Sequence, residues 1–231
     1  MLFPHFSHPQ LQIACVIHPL FEENTFLVWL PGRSDCLVID PGLEPEKILH
    51  ALEDRHLQPA AILNTHGHAD HIAGNRALKT RWPDCPLVIG RADAPKLQDP
   101  WANLSRPFGL DILSPPADVL VDDGQHYSAA GLELEILTLP GHTAGHVVYL
   151  WRGGEPWVAF VGDVIFQDSI GRTDFPDGSF RQLRSGIREK LFPLPDQTVL
   201  LPGHGPPTTV GQEKKHNPFV GLGEKESADD P

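Results

Sequence analysis

Seven imidazole and carboxylate side chains lie in or just after short apolar runs of this sequence, and they can act together only in a fold that brings the ends of those runs to one place. The densest group is Asn64-Thr65-His66-Gly67-His68-Ala69-Asp70-His71, between the buried run 60–63 and a segment with helical spacing of apolar residues. His66 and His68 are two apart, so in extended backbone their side chains leave on the same face. Asp70 and His71 fall at the helix entry, where the chain turns and adjacent side chains can aim at different points. Three imidazoles and a carboxylate in one short stretch are enough donors for two neighbouring metal ions. Packing alone gives no reason for four such residues straight after a strand.

Three more ends repeat the pattern. Leu139-Pro140-Gly141-His142-Thr143-Ala144-Gly145-His146 joins two strand-like runs. Phe160-Val161-Gly162-Asp163 ends an apolar run in a carboxylate, and Leu200-Leu201-Pro202-Gly203-His204-Gly205 ends another in an imidazole. A single strand-end His or Asp is ordinarily a satisfied polar residue. Four such ends call for a shared edge, which is where layered α/β domains place their sites. His146, separated from His142 by a strand start, is expected to hydrogen-bond behind the donors rather than join them as an eighth. Cys15, Cys36 and Cys85 stand apart from the His pairs, which disfavours a thiolate site and a disulfide framework alike.

Short β-branched and apolar runs predict strands over 12–17, 25–30, 36–39, 60–63 and 86–89, and again over 119–121, 132–137, 146–150, 157–161 and 198–201. Apolar residues three and four apart predict helices over 45–55, 70–82 and 180–191, with a short one at 93–98. Several strands followed by alternating helix and strand occur twice. Two sheets face to face with helices outside would bury every apolar face, so a layered α/β domain is expected. It should occupy 11–220, between a loose lead-in at 1–10 and a polar tail at 221–231. The formal charge of −12 repels phosphate backbones and disfavours a nucleic-acid partner. No apolar run approaches a membrane span and no signal peptide is visible, so a cytoplasmic protein that does not bind membranes is expected.

His66-Gly67-His68-Ala69-Asp70-His71 followed by His142, Asp163 and His204 resembles the ligand pattern of the metallo-β-lactamase superfamily, over roughly residues 25 to 219. The resemblance implies a four-layer αββα sandwich around a centre of one or two divalent ions, zinc first, with iron or a mixed pair as the alternative. It places His66, His68 and His142 on one metal, Asp70, His71 and His204 on the other, and Asp163 between them. Val38-Ile39-Asp40-Pro41-Gly42 resembles the family's first motif and makes Asp40 a supporting residue behind the centre.

Such ions can generate a hydroxide at neutral pH and polarise a carbonyl, so hydrolysis is the leading chemistry, with Asp70 and Asp163 as the carboxylates at its heart. Ser169-Ile170-Gly171-Arg172-Thr173-Asp174-Phe175-Pro176 and the Pro202–Pro206 run followed by Asn217-Pro218-Phe219 are similar to the glyoxalase II (hydroxyacylglutathione hydrolase) branch in its compact bacterial form. That implies attack of metal-bound hydroxide on a small-molecule thioester, S-lactoylglutathione or a related acyl thioester. Longer members carry a C-terminal helical domain for glutathione, and the stretch after His204 is too short for one. Arg172 and Asp174 are expected to pair and fix their loop, or else to touch substrate. The rival readings are a mononuclear-iron persulfide dioxygenase, which shares the fold and a Gly-Arg-Thr-Asp-Phe segment, another ester or lactone hydrolase, and a metal-binding module without turnover.

Overall fold

Alternation along the central strands builds the molecule. In Gln58–Asn64 (β4), Ala61 and Leu63 point to one apolar cluster and Ile62 to another. In Val147–Trp151 (β9), Val147, Tyr149 and Trp151 face one cluster while Val148 and Leu150 face another. Strands apolar on both faces belong inside a layered structure, because each face needs its own cover. The computed structural model describes residues 8–222, so the expected lead-in and tail fall for the most part outside the described residues.

The first sheet runs β1 (Gln12–Ile17), β2 (Asn24–Trp29), β3 (Asp35–Ile39), β4, β5 (Leu87–Gly90) and β6 (Val119–Val121), in that spatial order. Its first three strands are antiparallel, and β3 to β6 are parallel. The second sheet runs β14 (Thr208–Thr209), β13 (Val199–Pro202), β10 (Val158–Gly162), β9, β8 (Leu132–Thr138) and β7 (His126–Ala129), with β10 and β13 parallel. One core joins the two sheets, with Phe26, Ile39 and Leu63 packed among Ile136, Tyr149, Phe160 and Leu201. Helices α1 (Pro45–Asp54), α2 (Ala69–Ile72) and α3 (Asn75–Arg81) cover the outside of the first sheet through Ile48, Leu52, Ile72 and Leu78. Helices α4 (Phe180–Gly186) and α5 (Val210–His216) cover the second through Leu183 and Val210. The expected αββα order is observed.

Two helices differ from the sequence reading. The helix predicted over 70–82 is broken after Ile72, because Gly74 donates its N–H to Pro41 O (2.7 Å) and lies too close to the 41–42 turn for a side chain. The helix predicted over 180–191 leaves α-geometry at Ile187 and finishes as a π-turn to Leu191, so that Leu183, Ile187 and Leu191 all stay in the core. The segment at 93–98 lies within a 3-10 stretch, Arg91–Gln98. Strands β7 and β14, the hairpin of β11 (Ile165–Phe166) and β12 (Ser169–Ile170), and α5 were not foreseen. Cys15, Cys36 and Cys85 are buried, and no disulfide joins them.

Phe160 is buried at the sheet–sheet interface, its ring edge-on to Phe26 at 5.5 Å. Phe160→Ala is expected to cost about 3–5 kcal/mol in urea unfolding. Leu20→Ala, at an exposed side chain, should change stability by less than about 0.5 kcal/mol. Equal effects would contradict a core placed between the sheets.

Candidate metal centre

Parallel strands end on the same edge, and the polar residues just past those ends meet there. Asp40 follows β3, Thr65 to His71 follow β4, Asp163 follows β10 and His204 follows β13. His142 and His146 come from the turn between β8 and β9, which is tied to β4 by Val147 N–H on Thr65 O (2.8 Å) and Tyr149 OH on Asn64 O (2.9 Å). Asn24 closes the other side, donating its N–H to Gly203 O and its amide to Pro202 O and Gly205 O.

Two donor groups result, besides a third set, Asp40 with His66 and His71, that shares a ring with each. His66 Nε2 and His142 Nε2 lie 3.1 and 2.9 Å from His68 Nδ1. His71 Nε2 lies 3.3 Å from His204 Nε2, and Asp70 Oδ2 is 3.4 Å from the latter. In each group one donor atom per residue lies within 4.8 Å of the others. A tetrahedral ion with bonds of about 2.0–2.1 Å separates its ligands by about 3.3 Å, so these spacings suit a metal. Asp163 reaches both groups, with Oδ1 at 3.5 Å from His71 and Oδ2 at 3.5 Å from His142 and 3.6 Å from His204. Asp163 Oδ1 is buried without a hydrogen-bond partner. Such an orphaned atom is costly unless something else engages it. A divalent cation fits this set of nitrogen and oxygen donors.

The outer ring nitrogens fix the inner ones. His142 Nδ1 donates to Arg172 O (2.8 Å) and His204 Nδ1 to Phe21 O (2.7 Å), since a carbonyl can only accept. His71 Nδ1 meets Asp40 Oδ2 at 3.2 Å. Thr65 donates its hydroxyl to Asp40 Oδ2 and its N–H to Asp40 Oδ1, leaving the hydroxyl oxygen to accept from His66 Nδ1. With the outer nitrogens protonated, a neutral ring presents a bare lone pair inward.

Burial, and then the crowd of neighbouring imidazoles, hold His66 and His68 well below the ordinary histidine value. Burial works the same way on His71, but Asp70, Asp163 and Asp40 outweigh it and raise that ring. His204 is raised against burial by Asp163 and Asp70. Asp70 is held below the usual carboxylate range, burial being overcome by His71 and His204.

The residues expected behind the centre are placed as follows. Asp40 is buried and touches His71 and Thr65. His146 is fully buried, stacked on His66 with centroids 4.8 Å apart, and its Nε2 accepts the Asp163 N–H at 3.1 Å. Arg172 and Asp174 form a two-pronged, exposed pair at 3.0 and 2.9 Å. Gly162 adopts φ +48°, and a methyl there would collide with the Thr65 hydroxyl and the His146 ring. Only glycine allows β10 to deliver Asp163 so close to β4.

Sequence reasoning missed Asp93 and Glu23. Asp93 is buried and accepts Gly67 N–H (2.8 Å), Thr143 Oγ1 (2.7 Å) and Gly145 N–H (2.8 Å), so it clamps the His66–His71 loop to the His142 loop. Its one visible signal is a carboxylate just past a buried strand, as at Asp163. Glu23 is fully buried, and burial, with Asp40 and Asp70 nearby, pushes its carboxyl well up despite His71. Nothing in the sequence distinguishes it from Glu22.

The profile of the Metallo-beta-lactamase superfamily matches residues 18–204. Among curated relatives, the hydroxyacylglutathione hydrolase GloC of Haemophilus influenzae is 39% identical over 207 residues, covering 87% of this chain and 93% of that one. Among solved structures, the BLEG-1 B3 metallo-β-lactamase superposes with a TM-score of 0.85 at 33% identity, covering 90% of this chain and 99% of that one. The di-iron-bound form of TTHA1623 superposes at 0.78 with 36% identity, covering 90% of this chain and 100% of that one.

Asp93→Ala leaves three buried donors without an acceptor. The metal-free protein is expected to lose at least about 3 kcal/mol in urea unfolding, because each orphaned buried donor costs roughly 1–3 kcal/mol. A loss under about 1 kcal/mol would show that other contacts hold the two loops.

Proposed function

This chain belongs to the metallo-β-lactamase superfamily and is a metal-dependent hydrolase, and on that premise we propose that it cleaves thioesters in the manner of glyoxalase II. The reaction is addition of water to the thioester carbonyl. The C–S bond breaks as the C–O bond forms, giving a carboxylic acid and a thiol that takes a proton from the added water. The observation that carries the proposal is Asp163, set between two complete donor groups on the floor of an open cavity. Support for thioesters comes from the likeness to a relative named as a hydroxyacylglutathione hydrolase, which extends over nearly all of both chains.

In this proposal His66, His68 and His142 hold one divalent ion, Asp70, His71 and His204 hold a second, and Asp163 serves both. Bound ions of this kind supply an acidified water and polarise a carbonyl oxygen. The protein's own residues make that chemistry possible. Arg172 O, Phe21 O, Thr65 and Asp40 hold the histidine rings in the tautomer that points a lone pair inward. His146 fixes the backbone of Asp163, so it acts on the carboxylate through the chain. Phe175 packs edge-on against His68 and His142 and keeps that side of the centre dry. Donors limited to imidazole and carboxylate suit zinc first and also iron or a mixed pair. A one-iron persulfide dioxygenase is the alternative reading, since imidazole and carboxylate donors suit iron as well as zinc.

The test is turnover of S-lactoylglutathione by zinc-loaded protein, with oxygen uptake on glutathione persulfide by iron-loaded protein as the counter-assay. Thioester turnover without oxygen uptake supports the proposal, and the reverse refutes it. Asp163→Ala should bring activity to background and lower the metal bound per chain. Full activity in that variant would refute the assignment. His146→Ala should lose about 10–100-fold in activity or metal affinity, and complete loss of one ion would make His146 a ligand instead.

A further inference from the structure

Resting on the thioesterase reading, we propose that the cavity over the centre receives the acyl half of the substrate, and that this half is an apolar chain or ring of several carbons. The cavity measures about 400 Å³ and opens directly onto the donor side chains, including Asp70, His142 and Asp163. One wall is Leu104, Phe108, Leu110 and Ile112, from the segment between β5 and β6, and Phe166 and Phe175 also line it. Phe108 and Leu110 are 72% and 49% exposed, large apolar surfaces that folding leaves in water. An apolar ligand would cover them. The volume lies within the ~300–1,000 Å³ of small-molecule pockets.

The side chains of the wall residues Asn103 and Ser105 are already committed. The Asn103 amide donates to Lys96 O and Ile112 O, and its oxygen accepts the Ser105 N–H. The Ser105 hydroxyl oxygen accepts the Ile112 N–H. Among the described residues lining the cavity, Arg172 carries the only guanidinium or ammonium, and it is paired with Asp174 and stacked 4.6 Å over Phe175. The overall charge of −12 disfavours carboxylates. The carboxylates of glutathione therefore find no free cation in the lining, and a tripeptide thiol belongs at the mouth. An apolar acyl group finds large side chains to bury against on more than one side.

The decisive experiment separates binding from turnover. Zinc-loaded full-length protein is titrated calorimetrically with the non-hydrolysable thioethers S-methyl-, S-butyl- and S-hexyl-N-acetylcysteamine, and with S-hexylglutathione. Affinity should rise by about two- to fourfold per added methylene. The glutathione moiety should add little, and Phe108→Ser with Leu110→Ser should flatten the gradient. Affinity independent of chain length, or more than about tenfold tighter binding conferred by glutathione itself, would overturn the proposal. Hydrolysis of the acetyl, butanoyl and hexanoyl thioesters is followed in parallel. A binding gradient without turnover supports the apolar pocket and refutes the thioesterase reading, whereas turnover with no gradient refutes the apolar pocket alone.

Discussion

Imidazoles and carboxylates taken out of water are tolerable only if each has a partner, and the whole edge of this molecule is arranged around that requirement. Asp40 illustrates it. It sits just past β3 with φ +47°, accepts the Thr65 N–H and hydroxyl, and reaches His71. Through Thr65 it also governs His66. One carboxylate thus aligns the end of β4 and one ring from each donor group. Asp93 does the corresponding work between the β4 loop and the β8–β9 turn. The sandwich positions the strand ends, and these two acids lock the loops that leave them.

The inward side of the same network is unbalanced without a cation. His66 and His68 are pushed toward neutrality, while His71 and His204 are held up by neighbouring carboxylates. Asp163 Oδ1 remains buried and unpartnered. An arrangement that satisfies the outer nitrogens of His66, His71, His142 and His204 and leaves the inner atoms facing one another is organised for binding rather than for stability alone. The cavity above it is of opposite character, with Leu104, Phe108, Leu110 and Ile112 along one wall. Polar floor and apolar wall meet in this cavity.

Much of this was legible because the informative residues are local. Strands such as β4, β9 and β10 declare themselves by apolar residues on both faces, and His66, His68, Asp70 and His71 lie within one short stretch. The parts that could not be read depend on contacts distant in sequence. Gly74 looks like any helical glycine until Pro41 is placed beside it. Asp93 shows only its place just past a buried strand, because its partners are two backbone N–H groups and a hydroxyl from other loops. Glu23 resembles Glu22 until one is buried and the other exposed. Strand β14 and helix α5 follow Pro206-Pro207, where local signals favour a loop and tertiary packing of Val210 decides otherwise.

The most direct measurement is anomalous scattering from crystals of the metal-loaded protein. The account predicts two peaks, one within about 2.0–2.2 Å of the nearest nitrogens of His66, His68 and His142 and the other equally close to Asp70, His71 and His204, with Asp163 touching both. A single peak, or peaks bound by other side chains, would contradict it.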